Sequence, residues 1–283
     1  MTDGQEPVEP SGVWATAVGV AKVRALESER PNALFRDPLA QAFATAGGLL
    51  PSPPRTRDDE AARRRRLGLA FSIVVRTKFL DDLLQQASAA GIRQVVLLGA
   101  GMDSRAFRMD WPEGTRLFEI DTAAPLDFKA SVLSRERAVA RCERITVTVD
   151  LRANWPDALA AAGHDPAEPT VWIAEGLLIY LPEDAVELLL TRIGARSAAG
   201  SRMGLTLGSR GVIERFGADA EPGSAASMWV SEMPDDPVAW LAGHGWTATC
   251  HTVRERGAAY GRPFSAPPQH EEQPGGLVSA IRR

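Results

Sequence analysis

Residues 94–121 read QVVLLGAGMDSRAFRMDWPEGTRLFEID. The stretch holds two short apolar runs, 94–98 and 116–120. The first ends in Gly99-Ala100-Gly101 and the second at Asp121. Brief, almost unbroken runs of Val, Leu and Ile suit strands covered on both faces. Three more follow along the chain: 144–149, ending near Asp150, then 170–174, followed by Glu175-Gly176, then 202–207. Helical stretches lie between them, most clearly over 125–138 and 182–198. Strands that alternate with helices in this way build a parallel sheet with helices on both faces, an α/β fold.

The rest of the chain is read outward from that core, 91–207. Residues 1–11 are expected to be a flexible tail and 12–283 a single domain. Its first part, 12–90, is a helical cap. The pattern is helical over 13–43 and broken at Pro31 and Pro38, the segment 47–59 is a loop, and 60–90 gives one long helix or two. In that last stretch Phe71, Val74, Val75, Phe79, Leu83 and Leu84 recur at helical spacing. Residues 208–236, rich in Gly, Ser, Pro and Asp, are too long for a simple connection and read as a lid or substrate insertion. In 237–283, a short helix over 237–242 closes at Gly243 or Gly245. Two strands, 247–253 and 276–281, then follow with no helix expected between them, so they are expected to pair antiparallel and complete the sheet.

Composition excludes several classes. Of the 283 residues 45% are hydrophobic and 24% charged, as in ordinary globular chains. A net charge of -4 argues against a general nucleic-acid surface. No apolar stretch approaches the roughly 20 residues of a membrane span. The first ten residues are polar and acidic, unlike a signal peptide, and a cytoplasmic location is expected. Cys142 and Cys250 lack metal-ligand spacing and read as small apolar core residues. No CxxC or HExxH spacing occurs, so no metal is expected.

The residues that close the strands carry the chemistry. In an open parallel sheet, ligands bind outside the carboxyl ends of the strands, where the strand order reverses. Gly99, Gly101, Asp121, Asp150 and Glu175 should therefore line one crevice. The glycines let a ligand approach the backbone. Asp121, about 20 residues past them, stands where a carboxylate accepts ribose hydroxyls. Asp150, with the Leu151 backbone beside it, suits an adenine amino group. Any one of these can be a plain turn residue; the set points to a nucleoside-bearing ligand. Position 104 is Ser, so the third glycine of the dinucleotide fingerprint is missing.

Several segments together resemble the leucine carboxyl methyltransferase-like family of S-adenosylmethionine (SAM) dependent enzymes. They are ALESERPNALFRDPLA, FSIVVRTKFLDDLL, the 95–129 stretch VVLLGAGMDSRAFRMDWPEGTRLFEIDTAAPLDFK, ITVTVDLRANWPDAL and WIAEGLLIYLPEDAVELLL. The likeness spans roughly 18–207 and is loose beyond. It implies a class I, Rossmann-like methyltransferase sheet, mostly parallel with an antiparallel C-terminal strand, carrying the N-terminal helices and the lid insertion. It also implies SAM as cofactor. Arg76 would grip the methionine carboxylate, as a fixed guanidinium can. Gly99, Ala100 and Gly101 would flank the amino-acid part, Asp121 the ribose, and Asp150 with Leu151 the adenine. Glu175 would sit under the methionyl end, with Lys22 or Arg24 also reaching the cofactor.

Tyr180 ends EGLLIY near the expected transfer point and is a candidate catalytic residue with Glu175; its other reading is a turn tyrosine packed on the next helix. Arg63–Arg66 could draw in an acid or form a solvated face. His164 and His270 fall in polar loops. His244 and His251 read as a turn and an exposed strand residue rather than as bases. Trp229, Trp240 and Trp246 could cover a flat acceptor, although core packing is the default for the last two. The expected activity is O-methyl transfer to a small-molecule carboxylate or hydroxyl, such as a polyketide-like natural product. Two alternatives stand beside it: a nicotinamide-dependent oxidoreductase on a Rossmann domain, and a catalytically silent SAM-binding protein. Neither a nucleic acid nor a membrane is an expected partner, and monomer and homodimer both remain open.

Overall fold

The computed structural model describes residues 12–49, 60–208, 226–232, 234–264 and 276–283. The expected tail 1–11, residues 50–59 of the expected loop, 209–225 of the expected lid, and His270 lie outside them. Seven strands are described: β1 Gln94–Leu98, β2 Arg116–Asp121, β3 Glu143–Thr148, β4 Thr170–Ala174, β5 Arg202–Thr206, β6 Trp246–His251 and β7 Leu277–Arg282. They form one sheet in the order β3-β2-β1-β4-β5-β7-β6. β1 to β5 run parallel, and β7 pairs antiparallel with both β5 and β6. The order reverses between β1 and β4, which is where such a sheet opens a binding crevice.

The described helices are α1 Gly12–Ser28, α2 Ala40–Ala46, α3 Glu60–Ala89, α4 Arg105–Arg108, α5 Ala123–Arg135, α6 Trp155–Ala161, α7 Glu183–Ala195, α8 Pro237–Gly243 and α9 Val253–Ala259. Successive side chains of a strand point to opposite faces, so each apolar strand serves two cores. Val95, Leu97, Leu117, Val171 and Ile173 pack with Val18 of α1, Val75, Leu80 and Leu84 of α3 and Phe128 of α5. Val96, Leu98, Phe118, Ile120 and Trp172 pack with Trp155 of α6, Leu189 and Leu190 of α7 and Leu241 of α8. Every residue of β1 and β4 is buried, which explains why their sequences run apolar instead of alternating.

Of the two readings of 60–90, the structure takes the first, one helix of 30 residues. Other expectations need correction. A helix, α9, stands between β6 and β7, where none was expected. Its cause is local: Thr252 Oγ1 accepts from Glu255 N at 3.1 Å and Glu255 Oε2 accepts from Thr252 N at 2.9 Å, a capping box that ends β6 at His251. Cys142 and Cys250 are half-buried rather than core residues, and burial still raises both thiol pKa values, Cys142 to about 11. His164 is not on a polar loop surface. It is buried, its Nε2 lies 3.0 Å from Thr170 Oγ1, and its ring packs on Phe118 and Trp172. Burial pushes its pKa down to about 4. Among the described residues, no helix is long and apolar enough to cross a membrane.

Candidate active site

The crevice begins where β1 ends. Gly99 has φ +63° and Gly101 φ +38°, a left-handed backbone that side chains disfavour. Space is short as well: a Cβ on Gly99 would lie 3.0 Å from Leu177 Cδ1, and one on Gly101 3.0 Å from Ala17 Cβ of α1. The loop is tied across the end of β2. Ala100 N donates to Ile120 O at 3.0 Å, and Gly101 N donates to Asp121 Oδ2 at 2.8 Å. Thr122 N donates to the other Asp121 oxygen at 2.8 Å. Each oxygen thus keeps accepting capacity. Burial raises the Asp121 pKa above the ordinary carboxylate value, and the two backbone donors oppose the shift.

At the end of β3, Asp150 is held by its neighbour Arg152. Arg152 Nε lies 3.0 Å from Oδ1, its Nη2 2.6 Å from Oδ2, and its backbone N 2.8 Å from Oδ1. The Arg152 hydrogen bonds hold the Asp150 pKa low. Leu151 is half-buried between the two.

At the end of β4, Glu175 meets two guanidinium groups. Arg76 Nε of α3 donates to Oε1 at 3.1 Å, and Arg105 Nη2 lies 2.9 Å from Oε2. Burial would raise the pKa of Glu175, but Arg105 and Arg76 overcome it and the net shift is downward. Gly176 has φ +61° and donates its N–H to Thr206 Oγ1 at 2.7 Å. A Cβ there would lie 3.2 Å from both Nη atoms of Arg76, so glycine makes room for that arginine. Arg105 also bonds Asp81 at 2.7 Å and Asp103, and Arg108 bonds both Asp81 oxygens at 2.7 and 2.8 Å. The sequence reading missed Asp81, Asp103, Arg105 and Arg108. The one available signal was the Asp-Ser-Arg spacing at 103–105, charge placed directly after a glycine loop.

Tyr180 lies on a short 3-10 turn, Leu178–Tyr180, and its phenol lies 3.5 Å from Thr16 Oγ1 of α1. The described end of the 208–236 segment is bonded to this turn: Val230 N donates to Ile179 O at 2.8 Å and Ser231 Oγ to Leu178 O at 2.7 Å. Arg24 is buried, pairs with Asp37 at 2.8 Å and donates to the carbonyl of Met102. It therefore ties α1 to the glycine loop, while Lys22 is half-buried on the same helix. Trp246 is fully buried core. Trp240 and His244 both bond Glu187 on the surface between α7 and α8. His251 packs edge-on against Phe79, ring centroids 5.8 Å apart. Arg63 and Arg66 are exposed. The structure thus gathers Arg76, Gly99, Ala100, Gly101, Asp121 and Glu175 closely, sets Asp150 and Leu151 at the neighbouring strand end, and brings Tyr180 against α1.

A family model described as leucine carboxyl methyltransferase matches residues 17–194. The chain belongs to the leucine carboxyl methyltransferase family. The match contains every residue just gathered, from Arg76 to Tyr180. Over its whole length the chain is 85% identical to a Streptomyces avermitilis protein and 81% identical to one from Streptomyces coelicolor, each covered completely. A Frankia alni protein is 74% identical over 100% of this chain and 99% of its own. All three are named as S-adenosyl-L-methionine-dependent methyltransferases. The crystal structure of a DUF574 family protein from Streptomyces avermitilis shares the fold, with a TM-score of 0.57 at 13% identity over 93% of this chain and 97% of that one. Membership of a methyltransferase family sets aside the nicotinamide-dependent oxidoreductase.

Proposed function

We propose that this family member methylates an oxygen of a small-molecule acid, with a carboxylate preferred to a hydroxyl as acceptor. That it is a SAM-dependent methyltransferase follows from the family and from relatives up to 85% identical along the whole chain. The residues present fit that cofactor. The glycine loop takes backbone angles that side chains disfavour and has no room for one against Leu177 and Ala17, as a loop that passes close to a ligand would. Asp121 keeps accepting capacity for a ribose diol. Arg76 and Glu175, side by side, match the carboxylate and ammonium of an amino acid. Gly99, Ala100 and Gly101 would lie along that end, with Asp150 and Leu151 toward the adenine.

When bound, SAM supplies a methyl group on a sulfonium, open to in-line displacement. The chain's own task is to align the acceptor and exclude water. Tyr180, facing Thr16 of α1, stands where the acceptor would be oriented, and the segment docked at 230–231 helps close that side. A carboxylate with a pKa near 4 is ionised at neutrality and needs no base, whereas a phenol near 10 gains from one. The observation that favours the carboxylate concerns histidine. Among the described residues, His164 lies in the core, His244 pairs with Glu187 on the surface and His251 stacks on Phe79; none is bonded to the strand-end acids. The acidic balance of the chain, -4, also favours a small-molecule acceptor over nucleic acid.

An acceptor screen with methyl-labelled SAM tests the proposal. A carboxyl methyl ester releases methanol in mild alkali and an aryl ether does not. The expected product is alkali-labile, formed at a rate flat from roughly pH 6 to 8. An alkali-stable product with a rate that climbs with pH makes the acceptor a hydroxyl.

A further inference from the structure

Arg105 is 1% exposed, yet none of its charge is idle. Its Nε bonds Asp81 Oδ1 at 2.7 Å, its Nη1 bonds Asp103, and its Nη2 lies 2.9 Å from Glu175 Oε2 and 3.4 Å from Thr77 O. One guanidinium therefore joins helix α3, the glycine loop and the end of β4. The chain of charge continues on both sides. Arg108 forks onto Asp81, and Arg76 bonds the free oxygen of Glu175. Three arginines and three carboxylates thus alternate, and their formal charges cancel.

Stability does not account for such a cluster. Burying ion pairs costs desolvation that their attraction repays only in part, and apolar groups of similar volume often serve as well or better. Precise placement does account for it. Each Glu175 oxygen is held by a different arginine, so the carboxylate cannot turn. Arg76 is anchored through Nε, and Gly176 leaves space against its other two nitrogens. A neutral cluster also receives a zwitterion without leaving net charge buried.

We infer that Arg105 is a positioning residue for the amino-acid end of the cofactor, acting through Glu175 and Arg76. The inference rests on the crevice being the SAM site. Arg105 touches no cofactor atom in this account; it fixes the groups that do.

The test uses two ligands that share an adenosine but differ at the amino-acid end: S-adenosylhomocysteine (SAH) and 5′-methylthioadenosine. Both are titrated by calorimetry into the wild-type chain and Arg105→Lys. Lysine keeps the charge but has no planar fork to span three partners. Arg105→Lys should weaken SAH by about 10- to 100-fold, the range seen when a metal ligand loses its outer hydrogen-bond partner. Methylthioadenosine should change less than about twofold. In a Glu175→Gln background the same substitution should lose most of its effect on SAH, because the path runs through Glu175. Equal weakening of both ligands, or full additivity with Glu175→Gln, would overturn the inference and leave Arg105 a structural residue. If Arg105→Lys does not fold, Asp103→Asn cuts one arm of the same guanidinium and is read by the same comparison. A wild-type chain that binds neither ligand refutes the SAM site itself, an outcome distinct from failure of the Arg105 role.

Discussion

The glycine at position 99 shows how much of this site is backbone. Its φ of +63° places it where a side chain costs about 1–2 kcal/mol, and a Cβ would also press on Leu177. Gly99→Ala should therefore destabilise the fold by about that amount in chemical denaturation, and should weaken SAH binding by more than the fold loss, because the loop it distorts is the cradle. Wild-type affinity in a folded Gly99→Ala chain would remove the loop from the site. Asp121, Asp150 and Glu175 were readable from sequence because a residue just past an apolar run has a predictable place at the sheet edge. Arg105 was not. RAFR is too short to show a periodicity, and its partners come from α3 and from the end of β4. Only the folded chain brings those charges together.

Elements hold the cover over that edge. The segment after α9 crosses to the connection between α1 and α2: Arg262 Nη2 bonds Glu27 Oε1 at 3.1 Å and also the carbonyl of Asn32. Phe264 stacks on Phe71 of α3 with centroids 4.8 Å apart. Glu27 is buried and accepts from Leu34 N at 2.8 Å, so its charge would lose one of its main partners in Arg262→Ala. Breaking a buried pair outright costs about 3–5 kcal/mol; with Leu34 N and Arg30 still near Glu27, roughly 2 kcal/mol is expected for Arg262→Ala. Adding Glu27→Gln should recover part of it in a denaturation cycle. Strict additivity would show that the strap carries no coupling. The capping box that starts α9 was legible as Thr-Val-Arg-Glu, yet a strand was read through it, because the apolar rhythm of β6 runs up to that point without a Gly or Pro to stop it. The antiparallel pairing of β6 with β7 was read correctly despite the missed helix.

At the scale of the whole molecule, two buried groups contribute to how the fold answers to acid. His164 has its pKa lowered to about 4 from 6.5, so below pH 6.5 the unfolded chain binds the extra proton and stability falls until about pH 4. Burial would raise Asp103, but Arg105, Lys129 and Arg108 outweigh it and lower its pKa to about 2 from 3.8; it stabilises the fold above 3.8 and loses that contribution as pH falls toward 2. Midpoints of urea unfolding should therefore drop in two stages on acidification. His164→Gln should flatten the first stage, between about pH 6.5 and 4, and leave the second. An unchanged first stage would mean that His164 titrates normally. The overall architecture was legible because five apolar runs and their helices repeat one simple unit. The acceptor side was not: residues 209–225 of the expected lid lie outside the described structure, and no local pattern announces the contact between α1 and the turn at Tyr180.

SAM is expected to bind in the crevice at the carboxyl ends of β1 to β4. Calorimetry of SAH with the wild-type chain and with Asp121→Ala addresses that directly. Asp121 is tied to the glycine loop by one hydrogen bond and to Thr122 by another, so circular dichroism of the variant must first match the wild type. The expected result is one site per chain in the wild type, with affinity lowered by about 1–3 kcal/mol in Asp121→Ala, as for lost hydrogen bonds to a charged group. A folded Asp121→Ala chain that binds SAH as tightly as the wild type would contradict it.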